Sequence, residues 1–285
     1  MYKRQVCDLI HDLAFALVED KLIRKTRVLH NEDGLPQLFD TNFTGKVRWP
    51  WYIKADAEEL YNKWYAGIFD AQVYRGMIPP KKADKHGNNG SATKLDPAVP
   101  RRYLVQPKAF GNGSLLNGQW WPVQLAALRD GAVASTQAGI SGIPGKGATA
   151  VIMAGGVDSA NQKYPNKDNG DEVLYCGTDS SNGKPTELTQ LLKDTVEQKG
   201  EPVRLIRSSN LKSEFAPEAG FRYDGLYEVV GFEMLDAPDS KRQRHRFKLR
   251  RLQGQDPIRG GDGQEKRPTK QELQAYKKER KLMGF

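Results

Sequence analysis

Apolar residues recur every three or four positions over the first part of the chain, which is the spacing of one helix face. This pattern predicts a helix from Val6 to Arg24 and a second helix from Ala55 to Gly76. Between them, Arg48–Tyr52 is an aromatic segment broken by a proline. We expect a small helical N-terminal module over residues 1–78. Its aromatic side chains either fill the module's own core or contact a partner or DNA.

The pattern changes after residue 78. Residues 79–97 are rich in proline, glycine and polar side chains, which predicts a linker. From Tyr103 to Leu252, short apolar runs alternate with glycines, and these runs predict strands. The strand candidates are Trp120–Leu125, Thr149–Met153, Pro202–Arg207, Leu226–Val230 and Phe247–Arg250. With one helix at Thr186–Glu197, the pattern is typical of a sandwich or barrel, followed by a basic C-terminal tail over residues 257–285.

Charge and composition narrow the class of protein. Lys and Arg number 44 against 35 Asp and Glu, a net charge of +9, which favours a polyanionic partner. The charge by itself fits DNA, RNA, a membrane surface or simple solubility equally well. Two distant cysteines, Cys7 and Cys176, and four scattered histidines predict neither a disulfide framework nor a metal site. No apolar run approaches the roughly 18 residues of a membrane span, and the start lacks the apolar core of a secretory signal. We therefore expect a protein of the cytoplasm or nucleus.

Catalytic motifs are hard to find. Gly145–Thr149 is too short for a phosphate-binding loop and precedes a predicted strand instead of a helix. We find no serine nucleophile elbow and no histidine near a plausible triad. We therefore expect no enzyme activity, assign no catalytic residue, and predict no cofactor.

Five segments of the middle region carry a recognisable pattern. They are Gly139–Gly142, Ala148–Gly156, Asp168–Gly177, Pro202–Arg207 and Phe215–Tyr227. In this order they resemble the SET- and RING-associated (SRA, or YDG) domain family over residues 98–256, and the last segment contains Tyr223–Gly225, the family's Tyr-Asp-Gly. The resemblance implies an α+β fold, a PUA-like curved β-barrel with flanking helices. Without a RING or SET pattern, the chain looks like a stand-alone, fungal-type member.

The resemblance also implies a function, which is to read 5-methylcytosine or 5-hydroxymethylcytosine in duplex DNA by base flipping, in the nucleus and on chromatin. Tyr175 occupies a position of a stacking tyrosine, and Asp168 is our first choice, Asp158 our second, to accept a hydrogen bond from the cytosine amine. Val157 replaces the family's second stacking tyrosine, unless Tyr164 from an apparent insertion supplies it. The implied base pocket is Ala154, Gly155, Gly156, Val157, Asp158, Tyr164, Asp168, Tyr175 and Cys176.

Other residues are predicted to contact the duplex outside the pocket. Two family loops probe the grooves, and their residues here, with the basic residues of the strands, are candidates for base and phosphate contacts. They are Gln137, Ser141, Asn182, Lys184, Arg204, Arg207 and Arg222. Lys241–Arg246 is a further basic run, suited to phosphate contact or nuclear import. We expect Tyr223–Gly225 to be architectural, with a positive φ at Gly225 and Asp224 capping the turn.

Competing hypotheses stay open at this point. The chain is a nonspecific DNA binder with a degenerate SRA pocket if the valine at position 157 prevents flipping. It is a protein-interaction scaffold if the N-terminal helices bind a chromatin protein and the barrel is a relic. A modification-dependent nuclease is disfavoured because the sequence shows no catalytic domain.

Overall fold

A computed structural model describes residues 2–13, 18, 20–43, 45, 47–65, 73–74, 76–81, 91–97, 108–113, 115–155, 166–178, 184–236, 243–260 and 266–284. The helices are α1 (Tyr2–Leu13), α2 (Asp20–Lys25), α3 (Pro36–Phe39), α4 (Trp51–Tyr65), α5 (Gln124–Arg129), α6 (Glu187–Glu197) and α7 (Lys270–Glu279). The strands are β1 (Met77–Ile78), β2 (Lys94–Leu95), β3 (Trp120–Trp121), β4 (Ile140–Ile143), β5 (Gly147–Met153), β6 (Lys167–Asn169), β7 (Glu172–Cys176), β8 (Val203–Ser208), β9 (Phe221–Asp236) and β10 (Gln243–Arg251). The chain divides into two units, one of Met1–Thr93 with Thr269–Phe285 and one of Lys94–Pro268.

The first unit has a helical core. Ile53, Ala57, Leu60 and Trp64 recur along one face of α4 and pack against residues of α1, α2 and α3. The predicted second helix thus begins earlier than expected, at Trp51, whose own side chain is 81% exposed and does not fill the core. None of the described helices combines the length and apolar character that a membrane crossing requires.

The C-terminal segment is divided differently from the predicted tail. A capping box begins α7: the Thr269 hydroxyl accepts from the Glu272 amide (3.2 Å), and the Glu272 carboxylate accepts from the Thr269 amide (2.7 Å). This helix belongs to the first unit, where the Thr93 hydroxyl donates to the Met283 carbonyl at 2.5 Å. Residues up to Pro268 belong to the second unit.

The second unit is built on one eight-stranded sheet with α5 and α6, which confirms the predicted α+β class. The strand order is β4-β5-β8-β9-β10-β7-β6, and β3 pairs with β9 outside this path. Only the β5–β8 pair is parallel among the described pairings of this sheet. The hydrogen-bonded path through the described residues is open, since no pairing there joins β6 to β4.

Alternation explains the strands that carry the core. In β10, His245, Phe247 and Leu249 are buried, and the basic residues between them face outwards. The predicted strand Leu226–Val230 is only the middle of the 16-residue β9. The predicted strand Trp120–Leu125 is wrong beyond Trp121, because good helix formers after Val123 start α5 at Gln124.

A bulge in β9 explains the Tyr-Asp-Gly signature. Arg204 of β8 pairs with Leu226 and Ile206 pairs with Tyr223, so β9 carries one extra residue at Asp224–Gly225. Gly225 has φ +103°, which confirms the predicted positive φ. The Tyr223 hydroxyl donates to the Asn112 side chain, so this buried ring is satisfied, as expected.

The bulge also places a carboxylate between two buried guanidinium groups. Asp224 accepts from Arg207 Nη1 (2.9 Å) and from Arg222 Nε (2.6 Å) and Nη2 (2.9 Å). On its other side, Arg207 donates Nε and Nη2 to Asp168 at 2.9 and 2.7 Å. We call Asp168, Arg207, Asp224 and Arg222 the arginine–aspartate network. Asp224 therefore pairs with buried charges instead of only capping a turn.

Backbone carbonyls complete the network. Arg222 donates to the carbonyls of Phe215 (2.5 Å), Arg259 (3.2 Å) and Arg267 (3.2 Å). The segment after β10, predicted as part of an unneeded tail, thus supplies acceptors to a buried charge. Every proton that faces away from a carboxylate needs such an acceptor, because an unsatisfied buried donor is costly.

Replacing Asp224 by Ala is expected to lower the free energy of unfolding by about 3–5 kcal/mol, because two buried guanidinium groups lose their shared partner. Glu233→Ala is the matched control, since it breaks the pair with Arg246 at a carboxylate that is 57% exposed. That change should cost less than about 1 kcal/mol. Urea denaturation of both variants measures the difference, and equal losses would contradict the assigned role of the network.

The pKa of Asp168 predicts an acid-dependent part of the stability. Burial alone would raise the pKa of this carboxyl, but hydrogen bonds and charge from Arg207, with hydrogen bonds from Ser213 and the Gly170 amide, lower it below its ordinary value. The stabilisation is therefore complete above pH ~4 and is lost as the pH falls through the lowered pKa.

We expect Asp168→Asn to flatten the acid limb of the curve of unfolding free energy against pH. The asparagine cannot bind the proton that the unfolded wild-type chain takes up near pH ~4. Denaturant titrations at a series of pH values test this. Parallel acid limbs for the wild type and the variant would show that Asp168 does not carry the dependence.

Candidate nucleic-acid interface

The ends of β5 and β7 meet at Asn166. Its Nδ2 donates to the Ala154 carbonyl (3.3 Å), and its Oδ1 accepts from the Cys176 amide (2.7 Å). Three strands separate β5 from β7 in the sheet order, which would place them roughly 19 Å apart in a flat sheet. One side chain spans them, so the sheet curves strongly. We call Ala154, Asn166 and Cys176 the Asn166 junction.

Tyr175 lies beside this junction. Its side chain belongs to the core of the sheet and the residue is 6% exposed. Its hydroxyl donates to the Gly139 carbonyl (3.3 Å), just before β4, and the same carbonyl accepts from the Ile152 amide of β5 (2.7 Å). A Cβ at Gly139 would lie 2.9 Å from that hydroxyl, so glycine leaves the room for the ring. The ring orientation is thereby fixed.

The glycine at position 155 has a different reason from the one expected. We expected it to let a base approach the backbone, but a Cβ there would lie 1.7 Å from the Asn210 carbonyl oxygen. Packing of the chain against the loop after β8 therefore requires this glycine. Other predicted pocket residues, namely Gly156, Val157, Asp158 and Tyr164, lie outside the described residues.

Asp168 is engaged within the protein. Its side chain is 2% exposed, and both oxygens accept hydrogen bonds, from Arg207 and from the Ser213 hydroxyl (2.7 Å) or the Gly170 amide (3.1 Å). The structure thus places our first choice for the cytosine acceptor in the arginine–aspartate network. Asp158, our second choice, lies outside the described residues.

The expected phosphate contacts at Arg204, Arg207 and Arg222 require correction. All three residues are 0% exposed, so their guanidinium groups do not reach a phosphate from these positions. Arg204 donates to the carbonyls of Ala109 (2.5 Å), Gly111 (2.7 Å) and Gly131 (3.1 Å). These arginines hold chain segments together, and burial lowers the pKa of Arg204.

The loop residues are divided between surface and interior. Gln137 is exposed between α5 and β4, and Lys184 is exposed before α6. Ser141 is buried, and its hydroxyl accepts from the Ala134 amide (2.9 Å), so it shapes the loop instead of touching a ligand. Asn182 lies outside the described residues.

The outward face of β10 supplies the exposed basic character that the buried arginines do not. Arg244, Arg246, Lys248 and Arg250 alternate along this face. Cross-strand carboxylates partly neutralise it, with Arg246 paired to Glu233 and both Lys248 and Arg250 at 3.3 Å from Glu172. Lys241 and Arg242 of the same predicted basic run lie outside the described residues.

Two residues of this region carry no signal in the sequence. Asn166 and Gln124 belong to no motif, and only their contacts across the fold single them out. Within the described ranges, no group of three or more His, Cys, Asp or Glu side chains is placed to hold a metal ion.

Comparison with known proteins gives a consistent assignment for this region. The family model described as the SAD/SRA domain matches residues 110–255, just over half of the chain. A UHRF1-like protein of Cryptococcus neoformans is 32% identical over 174 residues, covering 53% of this chain and 48% of the relative. E3 ubiquitin-protein ligase ORTHRUS 3 of Arabidopsis thaliana is 31% identical over 180 residues, covering 54% of this chain and 26% of the relative.

Solved structures were compared as well. The SUVH5 SRA domain in complex with methylated CHH DNA is 23% identical, with a TM-score of 0.45, over 53% of this chain and 99% of that chain. The modification-dependent TagI restriction endonuclease is 29% identical, with a TM-score of 0.41, over 50% of this chain and 52% of that chain. Both TM-scores are too low to carry an argument, so the assignment rests on the family model. This chain spans half or less of the length of the curated relatives named above. By its match over residues 110–255, the chain belongs to the SAD/SRA domain family.

Proposed function

We propose that the SAD/SRA region of this chain binds double-stranded DNA and holds a flipped 5-methylcytosine or 5-hydroxymethylcytosine. In this proposal the chain is a reader of modified cytosine and not an enzyme. The observation that carries the proposal is the Asn166 junction beside Tyr175. There, the curved sheet brings backbone and side-chain polar groups of β5, β7 and the Asn166 segment next to one aromatic ring.

The energetics favour this location for a base. Flipping costs a few kcal/mol, and stacking on an aromatic side chain returns about 1–3 kcal/mol per base. The hydroxyl of Tyr175 is tied to Gly139, so the ring is already ordered before a base arrives. Family membership supports the ligand class, because base flipping is what the resemblance implies.

Asp168 takes a supporting role in the proposal. Its engagement with Arg207 fixes β6, which follows Asn166 directly, and so positions the junction. Asp158 then becomes the leading candidate for the cytosine amine, with Gly156, Val157 and Tyr164 as further pocket residues. The curvature at the Asn166 junction supports the PUA-like barrel of the family as the form of the sheet.

The wider role follows from the same ligand. We place the chain in the nucleus on chromatin, where modified duplex DNA is found. The net charge of +9 supports phosphate contact, and Lys184, Gln137 and the outward face of β10 are the exposed candidates for it. The helical unit, with the exposed Trp51, is the proposed contact for a chromatin protein.

We expect the wild-type chain to bind a duplex with one 5-methylcytosine or 5-hydroxymethylcytosine about tenfold more tightly than the unmodified duplex. Fluorescence anisotropy with matched duplexes at one fixed salt concentration measures this, since phosphate contacts vary steeply with salt. Equal affinities across the series would leave a nonspecific binder, and no binding to any duplex would favour the scaffold.

Tyr175→Leu should remove about tenfold of the affinity for the modified duplex, because leucine keeps apolar volume in the core but offers no ring. Leu174→Ala is the control, since its side chain points to the opposite face of β7. Thermal unfolding first confirms that both variants fold. An unchanged preference in Tyr175→Leu would rule out Tyr175 as the stacking residue.

A further inference from the structure

The loop between α5 and β4 presents an exposed tip. Residues 134–139 form this loop, and Thr136 and Gln137 at its tip are exposed. Gln137 is the loop residue expected to contact the duplex. A short polar side chain contributes to recognition only if its backbone is already held near the bound position, because ordering it costs about 1–2 kcal/mol per residue.

A glutamine of α5 bridges the base of this tip. Gln124 Nε2 donates to the carbonyls of Ser135 (3.0 Å) and Ala138 (2.9 Å), which lie on either side of Thr136 and Gln137. One amide group thus joins the residues before and after the tip. Gln124 is the first residue of α5, so a helix fixes the origin of the bridge.

Hydrogen bonds inside the loop complete its shape. The Ser135 hydroxyl accepts from the amides of Gln137 (3.2 Å) and Ala138 (3.0 Å). The Ser141 hydroxyl accepts from the Ala134 amide (2.9 Å), and the Gly139 carbonyl accepts from Tyr175 (3.3 Å). The loop is therefore connected to the same tyrosine that we propose as the stacking surface.

Close packing does not fix this loop on the side of α6. A cleft of about 620 Å³ lies there, lined by Ala134, Ser135 and Ala138 of the loop and by Leu188 and Leu191 of α6, among other described residues. A segment bordering such a space lacks the contacts that hold a core residue in place. Its position depends on the hydrogen bonds, of which Gln124 supplies the two that span the tip.

We infer that Gln124 is a positioning residue for DNA recognition, which holds the tip of the 134–139 loop in the conformation that contacts the duplex. The inference rests on the proposed function. Gln124 itself is half-buried behind the tip and acts through Gln137. The gain in affinity comes from preorganisation of the loop and not from a further contact with DNA.

The test variant is Gln124→Glu. The carboxylate keeps the size of the side chain but replaces a donor with an acceptor, which then faces two carbonyl oxygens. Gln255→Glu is the matched control, because Gln255 Nε2 also donates to two carbonyls, of Leu226 (2.9 Å) and Leu252 (3.0 Å), away from the loop. Both changes cost similar hydrogen bonds, so stability alone does not separate them.

A double-mutant cycle with Gln137→Ala separates positioning from general destabilisation. In the wild-type background, Gln137→Ala should weaken binding of the methylated duplex by about fivefold, and Gln124→Glu alone by about tenfold. In the Gln124→Glu background, Gln137→Ala should change the affinity by less than about twofold, because the tip is already released. In the Gln255→Glu background it should keep its full effect. Additive losses in the Gln124→Glu background would overturn the inference.

Hydrogen exchange reports on the loop without DNA. Peptides covering residues 134–139 should exchange faster in Gln124→Glu than in the wild type and in Gln255→Glu. Failure of the wild type to prefer modified duplexes rejects the proposed function, whereas unchanged exchange rejects the positioning role of Gln124. Faster exchange with unchanged affinity also overturns the inference. If Gln124→Glu does not fold, Gln124→Met removes the donors without adding a charge and has the same expected outcomes.

Discussion

The fold of the second unit depends on placing two guanidinium groups and two carboxylates inside a β-sheet. Asp224 lies between Arg207 and Arg222 because the bulge at Gly225 adds one residue to β9. Each charge has a partner, and the remaining donors reach carbonyls of distant segments. Burial of charge without these partners would cost several kcal/mol per ion, so the surrounding segments must converge on this point. The network therefore determines where β6, β8, β9 and the segment after β10 lie.

This arrangement changes the meaning of the basic composition. An excess of nine positive charges suggests a broad surface for a polyanion. Three arginines from the family motifs are instead structural, with 0% exposure. The basic surface of the described part comes from other residues, such as the outward row on β10, and carboxylates on β7 and β9 temper it. The charge of a sequence thus describes its surface only after buried pairs are subtracted.

The candidate interface is held by polar contacts that connect distant strands. Asn166 joins β5 to β7, Tyr175 joins β7 to the start of β4, and Gln124 holds the loop between α5 and β4. Asp168 connects the first of these to the buried network through Arg207. The pocket edge and the loop tip are therefore parts of one hydrogen-bonded frame. A flipped base and a loop contact would meet surfaces ordered before binding.

The sequence alone determined the features that depend on neighbouring residues. Thr186 caps α6 as its position indicates, β10 alternates between buried and exposed residues, and Gly225 adopts a positive φ. The order of short motifs was enough for the family. Only the tertiary structure decided that Arg204, Arg207 and Arg222 are buried, that Gly155 makes room for Asn210, and that Gln124 bridges a loop. These facts arise from contacts between residues far apart in the chain, and no local pattern records which distant atom will lie opposite a given side chain.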